Sequence, residues 1–436
     1  MKRIAAPLLA LLAACASRPS PSPAPLPPAP GDELNGPLRA AVEAELPSIL
    51  ELYRWFHQNP ELSLQEEKTA ARFAAEVRQA GWTVTEKVGG TGVVAVLANG
   101  DGPAVLVRID MDALPVREET GLPYASTTGV MHACGHDTHL ATGVALARVL
   151  SKLRDRWSGT VILVGQPAEE IGLGARKMLE DPRFHQAAPF QPVACLSLHN
   201  HLNRTGTVAI CPGYAAANVD SLDITIFGRG GHGAWPHNTV DPIVVASEIV
   251  LALQTIVSRK LAPGTRAVVT VGSFQAGKKH NVIPDEAKLL VTVRSYEEPV
   301  RQKLLSEIRQ ITEKVAEAHR APRPPEVRAS EDFVPAVYHD PALAQRLRGV
   351  FERLLGKENV LEAHPVMGGE DFGRFPLHFK APGLQFQVGA ARAGHPPGVG
   401  LHSSQWAPDP EPTLRIGALA LCRAALDLLG PQPGTR

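Results

Sequence analysis

The chain carries no excess of either charge. Lys and Arg total 44 and Asp and Glu total 44 in 436 residues. That balance removes the electrostatic case for nucleic acid, which needs a basic face. Long apolar runs are also missing near the start: the stretch from Ile4 to Ala14 is shorter than the roughly 20 residues of a membrane span. No internal repeat or low-complexity block follows residue 36, which excludes a solenoid. Cysteine is sparse, with five residues at positions 15, 134, 195, 211 and 422. An exported chain would be free to oxidise them. Only Cys195 and Cys211, both in apolar strand-like runs, have a case for pairing, and buried free thiols are commoner in such runs. Cys422 falls in an apolar helical segment and reads as core.

What is present begins with a targeting segment. Lys2 and Arg3 precede the short apolar stretch, which ends in Leu12-Ala13-Ala14-Cys15. This resembles a bacterial lipobox, so residues 1–15 are expected to be a signal peptide with lipid on Cys15. Ala16 follows the cysteine, which favours outer-membrane retention on the periplasmic side. Residues 16–36 contain seven prolines at 19, 21, 23, 25, 27, 28 and 30. Proline fixes φ and lacks an amide hydrogen, so an extended tether is expected there.

The remaining length accommodates two domains. Residues 38–57 and 65–80 have helical spacing, and Gly81 stops the second segment. Continuous apolar runs at 93–97 and 104–109 flank Asn99-Gly100-Asp101-Gly102, a strong turn signal. Residues 139–154 read as helix, and 161–164 and 193–198 as buried strands. This alternation predicts an α/β domain with a mostly parallel sheet. The pattern changes near residue 218. Strand 220–227, helix 241–259, strands 266–274 and 287–295, helix 299–318 and strand 325–329 follow in the order β-α-β-β-α-β, a ferredoxin-like arrangement. The expected organisation is a catalytic domain at 37–217 and 331–430, interrupted by an inserted domain at 218–330.

Polar motifs cluster at the carboxyl ends of the predicted strands, where open α/β sheets place their sites. Met131 to His139 packs a thiol, three imidazoles and a carboxylate into nine residues. Cys134 and His136 stand two apart before a helix and offer sulfur and nitrogen ligands suited to zinc, manganese or cobalt. Glu169-Glu170 follows a strand, where one carboxylate can hold metal while its neighbour moves a proton. His199 ends a strand, and His402 lies near the C-terminus. With Glu170, these five donors form a coherent two-metal set in which one ligand must bridge; which one does so stays open. Asp110, after a strand, suits a carboxylate that orients a ligand imidazole. In Gly228 to His237 the glycines free the backbone for close approach to another surface. His232 there can donate to a developing oxyanion, and Asn281 is a polar substrate contact.

Taken in order, Asp110-Met111-Asp112-Ala113-Leu114-Pro115, His132-Ala133-Cys134-Gly135-His136-Asp137, Gln166 to Glu170, the Gly-Gly-His and Pro-His run at 230–237, Asn281-Val282-Ile283-Pro284 and Gly369-Glu370-Asp371-Phe372 resemble one family. It is the aminoacylase, hippurate hydrolase and auxin-conjugate hydrolase branch of the co-catalytic metallopeptidases. The resemblance implies metal ligands at Cys134, His136, Glu170, His199 and His402 for two divalent ions, a general base at Glu169 and a lid histidine at His232. It places Glu370 near the metals and implies a homodimer through the inserted domain. Thr138 stands where the family usually has glycine, and Ser403-Ser404 follows His402 where Asn-Pro is common. The expected reaction is hydrolysis of N-acyl amino acids. A periplasmic dipeptidase or carboxypeptidase is the alternative, and a non-catalytic binding lipoprotein is a remoter one.

Overall fold

The computed structural model describes residues 31–431. The signal peptide, Cys15 and the proline-rich stretch to residue 30 lie outside the described residues. The end of the expected tether is already ordered: Asp32–Leu34 is a 3-10 turn and helix Asn35–Gln58 starts within it. Arg423 Nε donates to Asn35 Oδ1 at 3.1 Å, tying that start to the last helix.

The fold is α/β. Its large sheet has eight strands, in the spatial order β1 (Thr83–Val88), β2 (Gly92–Asn99), β4 (Gly159–Gln166), β3 (Ala104–Asp110), β5 (Pro192–Arg204), β16 (Gly383–Ala391), β6 (Val208–Ile210) and β15 (Val360–Glu362). The core strands β4, β3, β5 and β16 pair in parallel. Every residue of β3 and β4 is buried, because helices cover both faces. On one side Phe56, Phe73, Leu146 and Leu421 meet Val105, Val107 and Val161. On the other, Phe184, Phe372 and Phe375 meet Val94, Leu106 and Ile162.

The turn at 99–102 does not make β2 and β3 neighbours. Strand β4 lies between them, antiparallel to β2 and parallel to β3. The connection crosses the start of β4 at a glycine pair: a Cβ on Gly102 would stand 2.9 Å from Gly159 Cα.

The inserted layer is ferredoxin-like. Strands β8 (Asn218–Phe227), β10 (Ala267–Ala276), β12 (Glu286–Ser295) and β13 (Glu326–Ala329) form an antiparallel sheet in the order β10-β12-β8-β13. Leu222, Ile224 and Ile226 point to one face with Val245, Ile249 and Leu304 from the two helices, as period-two alternation requires. Two small ribbons were not foreseen: β9 (Gly231–His232) with β11 (Val282–Ile283), and β7 (Gly213–Ala216) with β14 (Val337–His339). Both crossings into the inserted layer pair with each other, since Val219 and Val334 exchange backbone hydrogen bonds. All four described cysteines, Cys134, Cys195, Cys211 and Cys422, are free thiols.

Candidate metal centre

Four strand ends and loops converge beyond the carboxyl edge of the sheet. Helix His136–Lys152 starts three residues earlier than its spacing suggested, so His136 sits in its first turn. Gly135 precedes it at φ 85°. A Cβ there would lie 2.3 Å from Asn200 Nδ2, so glycine is needed for conformation and for space. His199 lies within β5 rather than at its end. Pairing of β5 with β3 stops at Ser197, while β16 supports it as far as Arg204, so His199 extends past β3 over the site. His402, at φ 68°, donates its backbone N–H to Ala133 O at 2.8 Å and brings its loop against the Cys134 turn.

These placements gather the expected ligands. Cys134, His136 and His199 form one triad of donor atoms within 4.8 Å, and Cys134, Glu170 and His402 form another. Cys134 belongs to both. Cys134 Sγ lies 3.4 Å from His199 Nε2, and His402 Nε2 lies 3.5 Å from Glu170 Oε2. The far ring nitrogens are engaged: His136 Nδ1 donates to Asp112 O at 2.8 Å and His199 Nδ1 to Asn200 O at 2.8 Å. Both Nε2 atoms are thereby left for a cation. His136 Nε2 and Glu170 Oε1 are buried with no hydrogen-bond partner among the described residues. Buried polar atoms are rarely left so, and the sulfur, nitrogen and oxygen donor set fits divalent metal.

Without a cation the site favours protonated donors: burial opposes it, but Asp110 and Cys134 hold His136 well above its ordinary range. Burial holds the Cys134 thiol well above its usual range, and a bound cation would reverse this by stabilising thiolate. Burial lowers His199 to about 4, which keeps it a neutral ligand. Glu169 is raised well above the usual carboxylate range by burial, with Glu370 and Glu170 adding repulsion. Its Oε2 is 3.9 Å from His136 Nε2.

Asp110 takes a different place from the one expected. Its Oδ1 accepts from His139 Nδ1 at 2.5 Å and its Oδ2 from Arg108 Nη1 at 2.7 Å. Asp112 is the residue behind the His136 ring, through its carbonyl and an Oδ1 at 3.4 Å. Strand spacing explains the exchange: Arg108 and Asp110 share a face of β3, and Asp110 is consumed by that neighbour. Glu370 lines the cleft and accepts from Arg108 Nη2 at 2.9 Å and Gln385 Nε2 at 2.6 Å.

His232 and Asn281 are not brought to the metal-side cleft. Both are exposed and lie together on the β9–β11 ribbon, where Gly233 N donates to Asn281 O at 2.9 Å. The glycines before His232 serve packing within the inserted layer. A Cβ on Gly228 would meet Val240 O at 2.4 Å, and one on Gly230 would meet Ile283 O at 2.6 Å.

The cleft encloses about 670 Å³ and is lined on its polar side by Cys134, Glu169, Glu170, His199, Glu370 and Arg294. Sequence reading missed Arg294, which alternates along β12 like any other strand residue. Its one side-chain hydrogen bond among the described residues is to Thr292 Oγ1 at 3.1 Å, and burial lowers its pKa.

Residues 106–425 match the model of Peptidase family M20/M25/M40. An N-acetyl-L-cysteine deacetylase of Bacillus subtilis is 37% identical over 336 residues, covering 76% of this chain and 78% of that protein. Thermostable carboxypeptidase 2 of Saccharolobus solfataricus is 36% identical over 377 residues, covering 85% and 93%. Among solved structures, the Bacillus subtilis YXEP protein, titled a dinuclear metal binding peptidase, superposes with a TM-score of 0.75 at 30% identity over 89% of this chain and 99% of that one.

Proposed function

The chain belongs to peptidase family M20/M25/M40, and from that premise we propose that it hydrolyses the amide bond of N-acyl amino acids, releasing a carboxylic acid and a free amino acid. The observation that carries this reading is one cleft lined by four of the five donors, Cys134, Glu170, His199 and His402, with His136 buried behind it, together with the adjacent carboxylate Glu169 and the guanidinium of Arg294 without an acidic partner.

Cys134, His136, Glu170, His199 and His402 would hold two divalent ions, and Cys134 is common to both donor triads. Zinc, manganese or cobalt there would polarise the scissile carbonyl and lower the pKa of the attacking water. Glu169 takes the proton from that water and returns it to the leaving nitrogen. Arg294 pairs with the substrate carboxylate, which fixes the amide against the donors. Asp112 orients His136. A relative named deacetylase favours the acyl substrate, and one named carboxypeptidase favours the peptide alternative.

His232 would reach the carbonyl oxygen from a second copy of the chain or by lid movement. The inserted layer offers a surface for a homodimer. Strand β10 is a free edge, Phe274 on it is exposed, and Val244 and Leu251 on the neighbouring helix Pro242–Thr255 are 53% and 72% exposed. Unpaired edges and apolar patches invite such pairing. Lipid on Cys15 would hold the enzyme on the periplasmic face of the outer membrane; a Cys15→Ser chain should then leave the membrane fraction.

The test is hydrolysis of N-acetyl, N-benzoyl and N-fatty-acyl amino acids beside unblocked dipeptides, after chelation and reloading with each metal. Metal-dependent release of amino acid from acylated substrates is expected. Cleavage of dipeptides alone would transfer the assignment to a peptidase, and no turnover with any metal would remove the enzymatic reading.

A further inference from the structure

Glu66 is fully buried, yet it belongs to neither donor triad and lies outside the cleft. Its Oε1 accepts two backbone N–H groups, from Ala168 at 2.8 Å and from Leu64 at 3.0 Å. Its Oε2 accepts from Thr91 Oγ1 at 2.7 Å. Ala168 and Leu64 share a feature: both are non-glycine residues in the left-handed region, at φ 52° and 65°. Side chains disfavour that region, so such residues persist where their surroundings over-determine them.

Ala168 is the residue before Glu169. The backbone on the far side of Glu169 is held in the same manner. Glu170 N donates to Asp112 Oδ2 at 3.0 Å, and Ser63 Oγ donates to that same oxygen at 2.6 Å. Two buried carboxylates therefore grip the amides at 168 and 170, and residues 63–66 supply or brace both. The turn closes beyond them, with Gly172 N on Glu169 O at 2.7 Å and Gly174 N on Ala168 O at 3.1 Å.

We propose that Glu66 is a positioning residue for the general base: by holding the Ala168 amide it fixes the left-handed turn that aims the Glu169 carboxylate into the cleft. This rests on the reading of Glu169 given above. Glu66 touches neither substrate nor metal, so its effect belongs in kcat and not in KM or metal content. The requirement is an acceptor at the right reach, and the charge is secondary.

Two variants of the full-length, metal-loaded protein separate those properties. Glu66→Asp keeps the charge and shortens the side chain by one methylene, which takes the carboxylate out of reach of Ala168 N. It should lower kcat about 100-fold, the order expected when a reacting group is misplaced by about 1 Å. KM and the metal-to-protein ratio should stay unchanged. Glu66→Gln keeps the reach and removes the charge. It should hold kcat within about tenfold, since a neutral acceptor bonds about half as strongly. Hydrogen exchange over residues 166–174, followed by mass spectrometry, should accelerate in Glu66→Asp and not in Glu66→Gln. Equal kcat and equal exchange in the two variants would overturn the inference, as would a loss of metal proportional to the loss of kcat. A Glu66→Gln protein that folds, keeps its metal and loses 100-fold or more overturns it alone, even where Glu66→Asp does not fold. Should the wild type hydrolyse no substrate, the exchange comparison still reads the grip on Ala168, so that failure falls on the functional reading.

Discussion

His57 should make the stability of this protein fall through mildly alkaline pH. It is 1% exposed and sits between two carboxylates, with Nδ1 2.6 Å from Asp137 Oδ2 and Nε2 3.0 Å from Glu118 Oε1. Burial alone would lower its pKa, but the hydrogen bonds to Asp137 and Glu118 outweigh that and raise it from 6.5 to about 10. A folded-state pKa above the unfolded one means that the stabilisation is complete below pH 6.5 and is lost as pH rises toward 10. The gap between 6.5 and about 10, at about 1.4 kcal/mol per pH unit, corresponds to about 5 kcal/mol, of which roughly half disappears between pH 7 and 9. Asp137 and Glu118 have lowered pKa values, so their own contribution is lost in acid instead. The measurement is chemical denaturation of the chelated, reduced protein at several pH values, for wild type and His57→Gln. The difference between the two should shrink by about 2–3 kcal/mol from pH 7 to pH 9. Parallel curves over that range would refute the argument, because they would mean that His57 is neutral in the folded protein.

Three further outcomes are expected. Glu169→Gln should lower kcat by about 10²–10⁴-fold, the range for a lost general base, while metal analysis still finds two ions, because all five proposed ligands remain. Arg294→Leu should raise KM for substrates with a free carboxylate and lower kcat/KM by about 10–100-fold, as for a lost charged hydrogen bond; the corresponding carboxamides should be unaffected, and an equal loss on both would show that Arg294 does not read the carboxylate. Thr138→Gly should lower the melting temperature without changing KM. Its Oγ1 donates to Gly135 O at 2.7 Å and accepts from Asn200 Nδ2 at 2.6 Å, so the glycine usual in the family would cost about 1–3 kcal/mol here.

The proposed ligands were legible because their chemistry is local. Cys134 and His136 stand in one short run, and Glu169-Glu170 directly follows a strand whose apolar run is plain in the sequence. The ferredoxin-like order was legible for a related reason: alternating and helical periods report burial directly. Strand order was not, since the pairing of β2 with β4 rather than β3 depends on a crossing at two glycines that read equally well as a turn. The charged shell behind the ligands was invisible for a deeper reason. Arg108 looks like an interruption in an apolar strand, yet it is fully buried and holds Asp110, two positions on, together with Glu370 and Asp371, more than 250 positions away. A buried guanidinium with so many acidic neighbours is stable only as a set, because removing one partner leaves an uncompensated charge away from water. Glu66 and Asp112 follow a related rule: both oxygens of Glu66 and Oδ2 of Asp112 accept from backbone and hydroxyl donors, among them Ala168, Thr91, Glu170 and Ser63, well separated from them along the chain. Metal ligands can be recognised one at a time by residue type, whereas the groups that hold them are defined by the partners that only the fold supplies. The exposed His232 stands at the other extreme: its motif is recognisable in sequence, and the oxyanion role proposed for it would require a surface that this single chain does not bring to it.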